Sequence, residues 1–133
     1  MDICIINEGF LIGGVERVTV EIGNSLESCG NKVTLIDFTG ENKYFYKVNE
    51  NITIKKIIKP RTLKRRLIRK ATNIKHRIDK KEINIKNIYA DQLRDLIYYL
   101  KGSNHDVLIL CQGMLTALIL EIKKKVPTYM SSV

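Results

Sequence analysis

Three short apolar runs, separated by segments with helical spacing, constrain the fold of this chain most strongly. They cover residues 2–6 (DICII), 32–38 (KVTLIDF) and 106–111 (DVLILC). Each is a burst of mainly isoleucine, leucine and valine, which is typical of parallel strands that are covered on both faces. The chain is 44% hydrophobic and 28% charged, an ordinary composition for a globular domain, so these runs have a core in which to be buried.

The segment after the first run predicts a helix. Its apolar positions recur at helical spacing, at Val15, Val18, Ile22 and Leu26. Gly30 follows them at the place of a C-cap glycine. The second apolar run begins almost at once, so strand, helix and strand follow one another with short connections.

The remaining elements complete an alternating pattern. Isoleucines at 52, 54 and 57 indicate a third strand, helical stripes cover 63–78, 85–100 and 114–124, and a last strand is expected near 127–130. This order predicts one α/β domain, a Rossmann-like, mostly parallel sheet with helices on both faces. In such sheets ligands bind at the carboxyl ends of the strands where the strand order reverses, so the loops after the first run and after DVLILC are the candidate sites.

Several classes of protein are disfavoured by what the sequence contains. No apolar stretch approaches the length of a transmembrane helix, and the N-terminus does not resemble a secretory signal, so a cytoplasmic location is expected. Cys4, Cys29 and Cys111 fit neither a disulfide framework nor a metal site. We interpret them as free thiols, with Cys4 and Cys111 in core strands, and we expect no metal and no cofactor.

A glycine pair, Gly13 and Gly14, lies between the first strand and the first helix. Two glycines cost backbone entropy, so either the turn or something that approaches the backbone closely requires them. They either permit a sharp turn into the helix, or they let a phosphate or sugar lie against the free amides of the helix N-terminus, where the dipole favours an anion. Both interpretations stay open at this stage.

These residues carry a resemblance to a known family. The sequence GGVERV at 13–18, followed by GNKV at 30–33, resembles the N-terminus of bacterial glycosyltransferases of the family-four (group 1) type, which have the two-domain GT-B architecture. Asn31 stands where the family commonly has histidine. The likeness is specific over residues 1–40, moderate over 105–131 and absent between them.

The resemblance implies that residues 1–133 form one half of a GT-B enzyme, the acceptor-side N-terminal domain, with the C-terminal donor-binding domain absent. The whole enzyme would be a retaining transferase of the hexosyltransferase type in cell-envelope polysaccharide biosynthesis. Its partners would be a nucleotide-sugar donor and a glycan or lipid-linked acceptor, and the isolated domain is expected to be inactive. No catalytic residue is assigned. The substrate-binding residues that the resemblance implies are Gly13, Gly14, Val15, Gln112 and Gly113.

Two further pairs of residues are interpreted by the same comparison. His76 and His105 do not match the position of the family's histidine in this half and are interpreted as surface residues. Glu16 and Arg17 are expected to orient the first helix rather than to react, and as adjacent residues they cannot share a helix face.

The positive charge is concentrated in one segment. The net charge is +9, and residues 59–81 contain eleven Lys and Arg but only one acid, Asp79. The predicted helix here is either a core-packed helix with a solvated face or a membrane-binding element that attracts anionic lipid. Nucleic acid ranks below both because the segment has no aromatic residues for base stacking. The membrane-binding residues would be Lys64, Arg65, Arg66, Arg69 and Lys70.

Two other functions remain as alternatives to the glycosyltransferase. One is a basic α/β module that binds membrane or nucleic acid without catalysis. The other is a dinucleotide-binding oxidoreductase domain, in which Asp37 at the end of the second strand would bind ribose, although the full glycine fingerprint is lacking.

Overall fold

The computed structural model describes residues 1–10, 12–38, 44–57, 90–111, 115 and 118–126. Seven helices and strands lie in these ranges, and they alternate as the sequence predicts. They are β1 (Asp2–Asn7), α1 (Gly14–Ser28), β2 (Lys32–Asp37), β3 (Thr53–Lys56), α2 (Ala90–Lys101), β4 (Val107–Leu110) and α3 (Ile119–Lys125).

The four described strands form one parallel sheet in the order β3-β2-β1-β4. β1 is central, because Ile3 lies opposite Val33 of β2 on one side and opposite Val107 of β4 on the other. The predicted α/β class with a Rossmann-like parallel sheet is therefore confirmed.

Both faces of the sheet are covered by helices. On one face Cys4 and Ile6 of β1 pack in a core with Leu96 of α2 and Ile122 of α3. On the other face the alternating residues of β1 pack in a second core that contains Val20 of α1. Because both faces of β1 are buried between Ile3 and Ile6, all four of these positions are apolar, which explains the continuous run ICII.

Most of the predicted apolar stripe of α1 is exposed, and only Leu26 of its four residues packs against the second core. Val15, Val18 and Ile22 are 43%, 52% and 38% exposed. The buried residues of the helix are Thr19, Val20 and Gly23. A helix usually turns its apolar stripe towards the core. In α1 the smaller residues Thr19, Val20 and Gly23 face the sheet instead, because they let the helix approach it closely.

Small residues bring α1 close to the sheet. A Cβ placed on Gly23 would lie 3.2 Å from Cδ2 of Leu35 and 3.7 Å from Cδ1 of Ile52, so the helix backbone rests almost directly on the core. The hydroxyl of Thr19 donates to the carbonyl of Val15 at 2.8 Å, so this polar group is satisfied within the helix.

The predicted C-cap of α1 is confirmed. Gly30 has a φ of 86°, in the left-handed region that favours glycine. Its N–H donates to Glu27 and the N–H of Asn31 donates to Leu26, the pair of bonds of a Schellman motif. Asn31 adds a side-chain bond to the Leu26 carbonyl and accepts one from the amino group of Met1.

The C-terminal half agrees with the sequence where the structure describes it. The predicted third strand is β3, the helix predicted over 85–100 contains α2, and the run DVLILC contains β4. α3 corresponds to the later part of the helix predicted over 114–124. The helix in the basic segment, with His76, and the strand expected near 127–130 lie outside the described residues.

The interpretation of His105 as a surface residue is wrong. Its side chain is only 6% exposed. Nδ1 lies 2.6 Å from Oδ1 of Asp2, and Nε2 lies 2.9 Å from the hydroxyl of Tyr99. His105 precedes β4 directly, and the parallel pairing of β4 with β1 brings it beside the amino end of the chain, which no local pattern in the sequence could indicate.

The close approach at Gly23 predicts the effect of adding a side chain there. Gly23→Leu should lower the free energy of unfolding by about 1–3 kcal/mol, because the new atoms overfill the space between α1, Leu35 and Ile52. Leucine is the better helix former by almost 1 kcal/mol, so crowding is the source of any net loss. Urea denaturation measures the change.

Gly14→Ala is the control, since a Cβ at Gly14 meets no atom within 4 Å. This variant should be neutral or slightly more stable than the wild type. If Gly23→Leu were as stable as the wild type, the close packing of α1 on the sheet would be contradicted.

Candidate functional site

The candidate site lies where the strand order reverses. The chain passes from β1 to β2 and β3 on one side of the sheet, and β4 returns on the other side of β1. Ile6 lies opposite Leu110, and the N–H of Cys111 donates to the Ile6 carbonyl at 3.1 Å. The segments after β1 and after β4 therefore leave the sheet side by side, as predicted, while Gln112 and Gly113 lie outside the described residues.

The loop between β1 and α1 is fixed by residues that the sequence did not single out. The N–H of Phe45 donates to the carbonyl of Phe10 at 3.1 Å. The hydroxyl of Tyr46 donates to the carbonyl of Gly13, also at 3.1 Å. Tyr44 stacks in a tilted arrangement on Phe10, which is fully buried. The segment 44–46 thus holds both ends of the loop, and its three aromatic residues in a polar stretch were the available signal.

The space for a side chain at Gly13 is taken by a flexible side chain of the protein itself. The φ of 177° at Gly13 is extended backbone that any residue can adopt, so conformation does not demand glycine. A Cβ at this position would overlap the carboxylate of Glu16, which folds back over Gly13 from the first turn of α1. A carboxylate in the first turn interacts favourably with the helix dipole. Glu16 therefore occupies the space that the missing side chain leaves.

Gly14 has no such explanation within the described chain. A Cβ there would meet nothing within 4 Å, and Gly30 alone among the described glycines has a positive φ. Gly14 is the first residue of α1, a helix of 15 residues, so its surroundings include backbone N–H groups without partners in the helix. The following residue, Val15, is exposed. Among the described residues, the space where a side chain would lie is therefore free at Gly14 and occupied by Glu16 at Gly13.

Glu16 and Arg17 point in different directions, as expected of adjacent helical residues. Nε of Arg17 donates to Oε1 of Glu21 at 2.8 Å, one turn further along the exposed surface of α1. The hydrogen bond that Arg17 donates to Glu21 is the largest influence that raises the pKa of Arg17. The guanidinium is therefore held along the helix.

Asn7, at the carboxyl end of β1, is a site residue that the sequence analysis missed. It is fully buried, and its Nδ2 donates to the carbonyl of Gly9 at 2.6 Å. Its Oδ1 is buried and has no hydrogen-bond partner among the described residues. The sequence did contain a signal for this residue: Asn7 is a polar residue at the end of an apolar strand, at the point where the strand order reverses.

Asp37 lies opposite Asn7 at the end of β2 and is also fully buried. Burial, and then the negative charge of Asp37, raise the pKa of the nearby Tyr44. A ribose-binding acid must present its oxygens to the ligand, and Asp37 does not do so. Its burial argues against the dinucleotide-binding alternative.

The described residues offer no metal site, and the thiol of Cys4 is not reactive. No group of three His, Cys, Asp or Glu among them is arranged to hold a metal ion. The three cysteines are free, as predicted; Cys4 is buried in β1, whereas Cys111 is half-buried just after β4. Burial raises the pKa of the Cys4 thiol to about 12, so this thiol is inert at neutral pH. Within the described ranges, every helix is too short or too polar to cross a bilayer.

The contact between Glu16 and Gly13 predicts a measurable coupling. Gly13→Ala should displace the carboxylate and cost about 0.3–1 kcal/mol of helix stabilisation, whereas the same substitution in a Glu16→Ala background has nothing to displace. The double-mutant cycle, measured by urea denaturation, should give a coupling of this size. The matched cycle of Gly14→Ala with Glu16→Ala should be additive. Additive energies in the Gly13 cycle would contradict the packing role of Gly13.

Comparisons of the chain with protein-family models, with curated proteins and with solved structures found no match. The function proposed for the chain therefore rests on the fold, on the geometry of the loop between β1 and α1, and on the resemblance in its sequence.

Proposed function

We propose that this chain is the acceptor-side N-terminal domain of a glycosyltransferase that moves a sugar from a nucleotide-sugar to a cell-envelope glycan or lipid-linked acceptor. The observation that carries the proposal is the open approach to Gly14 at the N-terminus of α1. The motif at 13–18 resembles that of such enzymes and suggests the reaction class.

The geometry suits a phosphorylated ligand at this point. The N-terminus of a long helix has N–H groups without helical partners and a favourable dipole for an anion. Gly14 lies at the first helical position with free space where its side chain would be. The loop carrying it is fixed by Tyr46 and Phe45, so a ligand would meet a preformed surface.

The charges of the described residues near the loop support the expectation that this half does not transfer sugar alone. A leaving nucleoside diphosphate needs cationic groups at the developing charge. Glu16, in the first turn, is anionic, and the guanidinium of Arg17 bonds to Glu21. The cationic wall of the site would come from a donor-binding domain, as in the family that the sequence resembles.

Uridine diphosphate is a suitable probe for this proposal. Addition of uridine diphosphate to ¹⁵N-labelled protein should shift the amide resonances of Gly14, Val15 and Glu16. These shifts should be larger than those of residues at the amino ends of the strands. Gly14→Val fills the open space and should weaken binding about tenfold or more, which corresponds to about 1.4 kcal/mol.

Gly102→Val is the matched control, because Gly102 follows α2 and a Cβ there makes only ordinary contacts, at 3.7 Å or more. This variant should bind like the wild type. Binding that is unchanged in Gly14→Val, or shifts confined to another edge of the sheet, would contradict the proposed site.

Association with an anionic membrane surface is a second function, and the concentration of charge in the sequence favours it. Residues 59–81 contain eleven basic residues and one acid. Each basic residue close to an anionic surface contributes about 1 kcal/mol. Replacing Lys64, Arg65, Arg66, Arg69 and Lys70 with glutamine should therefore abolish co-sedimentation with vesicles that contain phosphatidylserine.

The control for this experiment neutralises a described basic cluster at the end of α3, Lys123, Lys124 and Lys125. This variant should still co-sediment. Wild-type protein should not bind neutral phosphatidylcholine vesicles and should be released by raised salt, since screening weakens the attraction. Equal binding to both kinds of vesicle would contradict an electrostatic interaction.

A further inference from the structure

A cluster of titratable side chains lies at the amino edge of the sheet, on the side opposite the glycine loop. The buried imidazole of His105 bonds to Asp2 of β1 through Nδ1, at 2.6 Å, and to the hydroxyl of Tyr99 on α2 through Nε2, at 2.9 Å. Asp2 also forms an ion pair with Lys32 of β2, at 2.9 Å. The proposed glycosyltransferase function uses none of these residues.

The partners of the imidazole fix where its proton lies. Burial acts to raise the pKa of Asp2, but its hydrogen bonds with His105 and Lys32 outweigh this effect and lower the pKa. Asp2 is therefore an ionised acceptor, and Nδ1 of His105 must donate to it. With Nδ1 turned to Asp2, Nε2 is the ring nitrogen that faces the hydroxyl of Tyr99, at 2.9 Å, and it is placed to accept the hydroxyl proton.

We propose that Tyr99 is a nucleophilic tyrosine and that its hydroxyl is a site of covalent acylation. The arrangement contains the three parts of an activated hydroxyl: a nucleophile within hydrogen-bond distance of a base, and a base oriented by a carboxylate. Tyr99 is half-buried, so part of the residue is accessible from solvent.

A nearby cation supports the charge that Tyr99 would develop. Nζ of Lys55 lies 4.9 Å from the centroid of the Tyr99 ring. As the proton moves to His105, negative charge grows on the phenol oxygen, and a positive charge beside the ring lowers the energy of that state. Asp106 also lies near this cluster, but its role is structural. Its carboxylate accepts a hydrogen bond from the backbone N–H of Asp2 and so stabilises the amino end of the sheet.

The acylation step needs only Tyr99, His105 and an activated acyl donor. The oxygen of Tyr99 attacks the carbonyl carbon of an activated acyl donor, and its proton passes to Nε2 of His105. The bond between the acyl carbon and the leaving group breaks, and the leaving group departs with the electron pair and receives a proton, which regenerates neutral His105. The product is an acyl ester of Tyr99.

N-acetylimidazole is the probe, and the adjacent Tyr98 provides an internal comparison. Tyr98 is 71% exposed, and adjacent helical residues point about 100° apart, so the two hydroxyls cannot share the imidazole. Peptide mass spectrometry of wild-type protein should show Tyr99 acetylated about tenfold or more faster than Tyr98, since general bases contribute factors of this size and above. Hydroxylamine should remove the group, as expected for a phenyl ester.

Asp2→Asn tests the role of the base. The ammonium group of Lys32 favours the oxygen of the new amide as its neighbour. The NH₂ group of the new amide therefore faces Nδ1 of His105. The ring then carries its proton on Nε2 and can no longer accept from Tyr99. Acetylation of Tyr99 should fall about tenfold while that of Tyr98 is unchanged. Asp106→Asn is the matched control, which should leave both rates unchanged.

Two results would overturn the proposal. One is wild-type protein in which Tyr98 reacts as fast as Tyr99 or faster, and this comparison needs no variant to fold. The other is a folded Asp2→Asn protein, as judged by circular dichroism, with an unchanged rate at Tyr99. In either case the cluster would only fasten α2 and the amino end of the chain to the sheet.

Discussion

The pairing of β1 with a parallel strand on each side is the constraint on which the rest of the structure depends. β1 has helices over both faces and neighbours at both edges, so its backbone groups bond within the sheet and its side chains fill two cores. The same pairing fixes what lies beyond its ends. Its carboxyl end brings Ile6 beside Cys111, the residue after β4, and its amino end brings Asp2 to His105.

Local patterns were sufficient for the elements that lie in the described residues. The apolar runs predicted the strands because β1 and β2 are buried on both faces, and Gly30 was identifiable because a helix that ends in the left-handed region favours glycine. The inward face of α1 could not be found in this way. Hydrophobicity favoured Val15, Val18 and Ile22, but close packing on the sheet favoured smaller residues such as Gly23.

Contacts between distant parts of the chain account for the remaining differences. His105 and Asp2 are 103 residues apart, and only the register of β4 on β1 brings them together. Tyr46 reaches Gly13 across 33 residues for a similar reason. By contrast, Glu16 is three residues from Gly13, so the sequence contained the first-turn acid that folds back over the helix start.

The glycine pair has two different physical explanations, and this limits what a motif alone can show. A sequence resemblance counts Gly13 and Gly14 as one feature, yet Gly13 makes room for the protein's own carboxylate. If both glycines were assigned to a ligand, the contact between Gly13 and Glu16 within the protein would be mistaken for part of a binding site. Gly14, with open space where its side chain would be and the N-terminus of α1 beside it, is the residue whose lack of a side chain the described chain does not explain. A phosphorylated ligand would supply that explanation, and for this reason the proposed function depends on Gly14.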